Sequence, residues 1–554
     1  MEPKTNFQAF FFPFGEKLVN GQPPSSREEK GTCLANESFS FSFGFCNEAE
    51  ELFPSDPVLE IDSPIQDHLI VHLVEEVACT LPFRKNHDEG YLISIPSLVG
   101  DLLKDPDHLV LRFGTCQSAL ITYDGEGTPG TYLITARIIL GDGRILGEAT
   151  YELVVLPVEL PPLDIHYTNW MHYDGIASYY GLEVFSPRYM EILSSFLECA
   201  VKHGMDTLLV PMFTPALDTA VNGERLTTQL VDVEKKGDVY SFSFDRLIQF
   251  LRFAQNHGVK QFEMSHLFTQ WGAEHAPKIV DVHGHRLFGW DTDSQSETYL
   301  RFLSLFLDQL TLRLENEDFG KDQVFFHLSD EPNALHVERY RFLKNAITPF
   351  LHGYPTMDAL SEFSFAQENL VDIPVVALES VPKFLQNGKR DIYVYHCCAE
   401  DKDMLPNRFL SMPLDRLRVL GTQLYFLGVK GLLHWGYNFY NSGFSKRPID
   451  PYLVNDAEGN FPSGDSFIVY PGRDEKAKGS LRLEALSAAF HDYRAFRLLE
   501  SRFGRERVVS FLKEEGFEED FSHYPARKGY LADLRNRVNE AIAQGTFPHH
   551  SSKE

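Results

Sequence analysis

What this chain lacks narrows its function before any motif is read. Basic residues are short: 51 Lys and Arg stand against 79 Asp and Glu in 554 residues, a net charge of −28. A surface that acidic repels nucleic acid and anionic membrane, so neither is expected as a partner. It argues against polyanionic substrates too, unless a local basic pocket intervenes. The opening residues Met1–Asn6 carry no basic cluster, and the apolar run Phe10–Phe14 is too short for the core of a signal peptide. No stretch reaches the ~18 uncharged residues of a transmembrane helix. The 7 cysteines (Cys33, Cys46, Cys79, Cys116, Cys199, Cys397, Cys398) are an odd count without framework spacing. That suits reduced thiols in a cytoplasmic protein. The adjacent Cys397 and Cys398 are read as a buried structural pair, with redox activity as the alternative.

Walker A, G-x-S-x-G, H-E-x-x-H and C-x-x-C patterns are also missing, which disfavours nucleotide binding, serine hydrolysis and zinc. The close pairs His283/His285 and His549/His550 are left as loop and tail residues, and no metal or cofactor is expected. Tryptophan is scarce at 4, whereas 45 Phe and 23 Tyr raise the aromatic share to 13%. With 43% hydrophobic and 23% charged residues the chain is otherwise an ordinary folded one, long enough for two or three domains.

The first 160 residues read as β-structure. Ser38–Phe43 alternates with period two, as does part of Thr131–Leu140, and the turn Gly141-Asp142-Gly143 leads into a strand over Ile145–Leu156. Short strands separated by turns suggest a β-sandwich. The one G-x-G-x-x-G match, Gly125–Gly130, precedes a strand instead of a helix and contains Pro129, so it is read as a loop. The stiff segment Pro157–Pro162 marks the domain boundary.

Beyond it, helical patterns repeatedly end at a glycine and are followed by a short β run. Ile165–Asn169, Thr207–Val210, Lys260–Met264, Val324–Leu328, Thr356–Ala359, Val375–Leu378, Asp391–Tyr395 and Gly431–Trp435 make eight candidate strands. The expected helices include Pro187–His203, capped by Gly204, and one N-capped by Ser243 and running to His257. Eight alternating units point to a (β/α)8 TIM barrel. The expected architecture is α/β: an N-terminal β-sandwich (1–160), a (β/α)8 barrel (161–503) closed by a helix over Leu481–Glu500, and a short helical tail (504–554).

Barrel chemistry sits at the C-terminal ends of the strands. There the sequence places Asn169–Asp174, Ser265–Gly272, His327–Pro332, Asp358, Glu379, Tyr395–Cys398 and His434–Asn438. Asp330-Glu331 is the sharpest feature. At a strand end, with Pro332 next, both carboxylates can reach one pocket, and one pKa should then rise to suit a general acid. An acidic turn capping the following helix would place the same residues there.

The run His327-Leu328-Ser329-Asp330-Glu331-Pro332 resembles the catalytic segment of glycoside hydrolase family 123 and of the related domain of unknown function 4091. So do Leu267–Gly272, Pro277–Ile279, Phe288–Thr292, Asn407–Phe409, Leu433–Tyr440, Gly464-Asp465, Val469–Gly472 and Ser480–Glu484, in order over Asp164–Glu500. The strand-one segment departs from the family pattern at Met171 and Tyr173. The resemblance implies an exo-acting β-N-acetylgalactosaminidase using substrate-assisted retaining catalysis, with Glu331 as acid and base and Asp330 orienting the 2-acetamido group. It implies a carbohydrate substrate, small or a glycoconjugate fragment. Trp271 and Trp435 are candidates to stack on sugar, Tyr395 to hold the acetamide oxygen, and His172 and Asn438 to bind sugar hydroxyls, each against a packing role. Arg408 is expected to pair with an acidic neighbour. Two alternatives stay open: a two-carboxylate glycosidase using Asp358 or Glu379 as nucleophile, and a sugar-binding protein on a barrel scaffold.

Overall fold

Phenylalanines alternating with small residues build the first domain. In the computed structural model, which describes residues 7–48 and 56–550, nine strands precede the linker; Met1–Asn6 lies outside the described residues. The strands are β1 Phe7–Phe12, β2 Lys30–Leu34, β3 Phe39–Asn47, β4 Pro57–Asp62, β5 Leu69–Cys79, β6 Ser97–Lys104, β7 Thr115–Tyr123, β8 Gly130–Leu140 and β9 Ile145–Leu156. They form two sheets, β1-β3-β7-β5-β6 and β2-β9-β8-β4. The period-two rings Phe41, Phe43 and Phe45 point inward, where Phe11, Ile134, Ile138, Tyr151 and Leu153 meet them. Phe41 stacks on Tyr151 with centroids 4.3 Å apart. The other face of the larger sheet is covered too: Val99, Leu102, Leu103 and Leu120 belong to the core of the second domain. Gly125–Gly130 is the loop between β7 and β8, ending at the first residue of β8.

One expectation is corrected here. Cys46 and Cys116 are not free thiols but a disulfide, because β3 and β7 place them directly opposite each other, 4.0 Å apart at Cα. Their separation of 70 residues is set by topology, which no local spacing reveals. Cys397 and Cys398 remain free and half-buried.

All eight barrel strands form: His166–Asn169, Thr207–Val210, Gln261–Met264, Val324–Phe326, Met357–Leu360, Ile373–Ala377, Tyr393–Tyr395 and Gly431–His434. Neighbours pair in parallel, and a parallel bridge from Phe326 to Thr356 joins the fourth strand to the fifth, completing the ring. Trp170, Leu209, Phe325, Met357, Val375, Tyr393, Tyr395 and Leu433 fill the interior. Helix Pro187–Lys202 starts as expected, with Ser186 as cap and proline in its first turn. Ser243 instead ends a hairpin strand, and the helix after it spans Asp245–Asn256 with Phe244 at its cap. Helix Leu481–Phe503 closes the barrel against helix Leu414–Leu427. Their approach requires Gly421, where an added Cβ would sit 1.8 Å from the Ala489 carbonyl oxygen.

The C-terminal helices Arg505–Glu515 and Tyr530–Gln544 are more than a tail. Arg535 reaches Glu37 of the sandwich at 2.6 Å and Asp492 of the barrel-closing helix at 2.8 Å, all three buried or nearly so. A second buried link, Asp101 to Arg482 at 2.8 Å, ties β6 to the start of that helix. No helix among the described residues is long and apolar enough to cross a membrane.

Candidate active site

Asp330 and Glu331 follow the fourth barrel strand, where the chain leaves the sheet. Glu331 has φ +45°, a left-handed conformation that costs of order 1–3 kcal/mol in a non-glycine residue and persists only when its surroundings impose it. Three bonds to two neighbouring segments, the loop after the third strand and the fifth strand, do so. Trp271 N–H donates to the Asp330 carbonyl at 2.9 Å, Glu331 N–H to Ala359 O at 3.2 Å, and Ser329 Oγ to Thr269 O at 2.8 Å. The Tyr395 hydroxyl then donates to Glu331 Oε1 at 2.8 Å. Burial pushes both carboxyls up. For Asp330 the Glu331 charge adds to that push, while the His327 charge opposes it; for Glu331 the bonds from Tyr395 and Trp271 oppose it. Two buried neighbouring carboxyls cannot both ionise cheaply, so they titrate as a pair.

Beneath them lies a fully buried ionic floor. His327 Nε2 meets Glu263 Oε2 at 2.9 Å and its Nδ1 meets Asp358 Oδ1 at 3.2 Å. The two carboxylates hold the imidazole up to about 10, against the cost of burial, so it is an imidazolium. Trp170 Nε1 anchors Glu263 at 2.8 Å. Asp358 accepts the amides of Leu328 and Ser329 and the Tyr340 hydroxyl, which orients the strand end that carries Asp330 and Glu331. His266 stacks on His327 at 4.5 Å. Donor atoms of His266, His327 and Asp358 lie within 4.8 Å of one another. A protonated His327, however, has no lone pair to offer a metal.

The first and eighth strands supply the opposite wall. His172 and Asn438 are buried and used on each other: the His172 amide donates to Asn438 Oδ1 at 2.8 Å, and Asn438 Nδ2 returns a bond to His172 O at 3.0 Å. The His172 ring donates Nε2–H to Trp435 O at 2.8 Å and accepts Arg225 Nη2 at Nδ1, 3.1 Å away. Burial and the Arg225 charge lower it to about 4, so it is neutral. These bonds brace the loop that carries Trp435 against the first strand's end. Trp435 is half-buried, with Phe461 and Phe439 against its ring at 4.9 and 5.1 Å and its indole N–H on Asp465 at 3.2 Å. Trp271 is 46% exposed and flanks Glu331 from the third loop. Tyr395 lies in the site with its hydroxyl directed at Glu331.

The residue pattern and the geometry now meet a wider comparison. The model of the glycoside hydrolase 123 catalytic domain matches residues 170–499. The chain belongs to glycoside hydrolase family 123. A solved family 123 glycoside hydrolase from Clostridium perfringens, described for glycolipid glycan hydrolysis, superposes with a TM-score of 0.71 at 13% identity, covering 98% of each chain. Two solved structures are far less alike. The family 2 β-galacturonidase of Eisenbergiella tayi gives 0.33 at 10% identity, over 81% of this chain and 69% of its own. The endo-β-1,4-mannanase of Thermotoga petrophila gives 0.35 at 12% identity, over 60% and 77%. Comparison with curated protein sequences finds no match.

Within this family 123 enzyme several site residues escaped sequence reasoning. Arg225, from the long loop after the second strand, sits in no motif; it grips Asp174 at 2.7 Å and orients His172. Glu263 is a carboxylate between Phe262 and Met264 in a barrel strand, which is the signal the sequence carries for it. Glu400 is buried behind Tyr395, bonded to the Cys397 amide at 2.9 Å, and burial lifts it to about 8. Arg408 is buried beside Asp465, binding the carbonyls of Gly436 and Asp465. Burial raises the Asp465 carboxyl to about 7 even with Arg408 nearby.

Proposed function

We propose that this glycosidase removes a terminal β-linked N-acetylgalactosamine, or a closely related N-acetylhexosamine, from a glycan by substrate-assisted retaining catalysis. The observation that carries the reading is the adjacent Asp330–Glu331 pair on one imposed turn above an ionic floor, with burial raising both carboxyls. With the acetamide N–H donated to Asp330, that carboxyl ionises and the proton stays on Glu331. The acetamide oxygen attacks the anomeric carbon as the glycosidic C–O bond breaks, and Glu331 transfers its proton to the departing oxygen. Asp330 balances the positive charge on the resulting oxazolinium. Water then attacks the same carbon, Glu331 takes its proton, and the ring opens with the starting configuration restored.

The two-carboxylate alternative is less well supported. Asp358 has both oxygens occupied by His327, Tyr340 and backbone amides, Glu379 stands exposed on a 3-10 turn, and Glu400 is lifted to about 8. The glycolipid glycans described for the Clostridium perfringens relative are one candidate source of the sugar.

A panel of β-aryl glycosides with and without a 2-acetamido group tests the reading. Only acetamido sugars should be cleaved, and Glu331→Gln and Asp330→Asn should each lower kcat by ~10²–10⁴-fold. Efficient cleavage of a sugar lacking the acetamide would overturn it.

A further inference from the structure

Beside Glu331 the mouth of the barrel carries a second construction that the chemistry above does not use. Trp271, on the loop after the third strand, and Phe444, on the loop after the eighth, meet edge to face with centroids 6.1 Å apart and planes at 83°. Both rings stay open, 46% and 39% exposed. Both residues are also left-handed, Trp271 at φ +58° and Phe444 at +60°. Large side chains rarely adopt that conformation, and such outliers persist where the surroundings impose them.

The surroundings here are specific. Asp218, itself at φ +40°, accepts the Phe444 amide at Oδ2, 2.8 Å away, and its carbonyl accepts Ser445 Oγ at 2.7 Å. Gln270, next to Trp271, accepts the Asp218 amide at 2.6 Å. Ala220 N–H donates to the Phe444 carbonyl at 3.3 Å. Three barrel loops are thus pinned to one another, and their joint product is a pair of accessible aromatic faces. Rings held for packing alone would be buried. These are held at fixed positions and left open.

In a glycosidase the group that leaves departs past the general acid, because the acid must protonate its oxygen. The Trp271 amide bonds the carbonyl of Asp330, the residue that precedes Glu331, at 2.9 Å, so its ring and the Phe444 ring against it stand beside the acid, where the leaving group departs. We infer that Trp271 and Phe444 form the recognition surface for the leaving-group sugar, with Phe444 the specificity-determining residue that selects a pyranose aglycone by apolar contact with its ring face. This rests on Glu331 acting as the acid; it does not depend on which sugar occupies the cleaved position. Phe444 touches no reacting atom, so its contribution should appear in substrate binding.

The test compares two substrates with the same glycone, whichever the enzyme prefers: a disaccharide, which has a leaving-group ring, and a glycosyl fluoride, which has none. For Phe444→Leu, kcat/KM on the disaccharide should fall about tenfold, mainly through KM, as expected for loss of one aromatic contact. The fluoride should stay within about twofold. Phe444→Tyr should restore the disaccharide, and Phe444→Gly, which relieves the backbone at this position, should behave like the leucine variant. Equal losses on both substrates would show a purely structural loop and overturn the inference, as would an unchanged disaccharide. A preferred glycone without an acetamide would refute the mechanism proposed above while leaving this ratio fully readable.

Discussion

Replacing Tyr395 by Phe removes one bond at 2.8 Å to Glu331 Oε1 and nothing else that touches the acid. A bond donated to a carboxylate favours its charged form, so its loss must raise the Glu331 pKa above a value that burial has already raised. A hydrogen bond to a charged group contributes ~1.5–3 kcal/mol, equivalent to roughly one to two pKa units. Glu331 is only half-buried, so solvent screening places the expectation at the lower end, about one unit. The first chemical step needs the protonated acid, which deprotonation removes on the alkaline side. The basic limb of kcat/KM against pH should therefore move up by about one unit in Tyr395→Phe. The measurement is a full profile on an aryl glycoside of the preferred sugar, with the limb assigned to the carboxyl pair as a whole. At the same time kcat should fall, because an acid of higher pKa protonates the departing oxygen less readily. An unmoved basic limb, or one displaced toward acid, would refute the assignment of Tyr395 as the group that tunes this carboxyl.

The ion pair between His203 and Glu484, 3.1 Å apart and nearly buried, clips helix Pro187–Lys202 to the barrel-closing helix. Glu484 and the Cys199 side chain hold His203 up to about 10 despite burial, and His203 lowers Glu484 in turn. Its stabilisation should be complete below the ordinary histidine value near 6.5, provided the carboxylate is ionised, and lost progressively as pH rises through about 10. Thermal melts of His203→Gln against the parent should show their widest gap near pH 6 and a closing gap toward pH 10; a constant gap would contradict this. Asp101→Ala should strand the buried Arg482 guanidinium and cost ~3–5 kcal/mol of stability by chemical denaturation. An unchanged midpoint would mean that water reaches Arg482.

The barrel was legible because its punctuation is local: helical stripes end at glycines such as Gly204, Gly258 and Gly428, and apolar strands follow. Asp330-Glu331 was legible for a related reason, since a strand end followed by proline is a local pattern. Partners distant in sequence were not. Nothing near Cys46 announces Cys116, and nothing near Arg535 announces Glu37. His172 and Asn438 show a second kind of limit. Residue type and strand-end position made them candidates for sugar binding, but their partners inside the protein are mostly backbone amides and carbonyls, which every residue carries and no composition reveals, with Arg225 added from a distant loop.

Arg482 also binds the carbonyls of Gly464 and Phe467. These residues flank Asp465, the carboxylate that holds the indole of Trp435. Its own counter-charge, Asp101, belongs to the sandwich. The wall that carries Trp435 is thus referenced to a strand some 370 residues upstream, Tyr470 bonding the same Asp101 at 2.7 Å across a separation of 369. A barrel cut out at residue 170 would keep every catalytic side chain and lose the datum from which that wall is set. Exchange of either domain for a homologue's would have to carry the partner with it. In inheritance and in engineering, the smallest working unit of this enzyme is the sandwich and the barrel together.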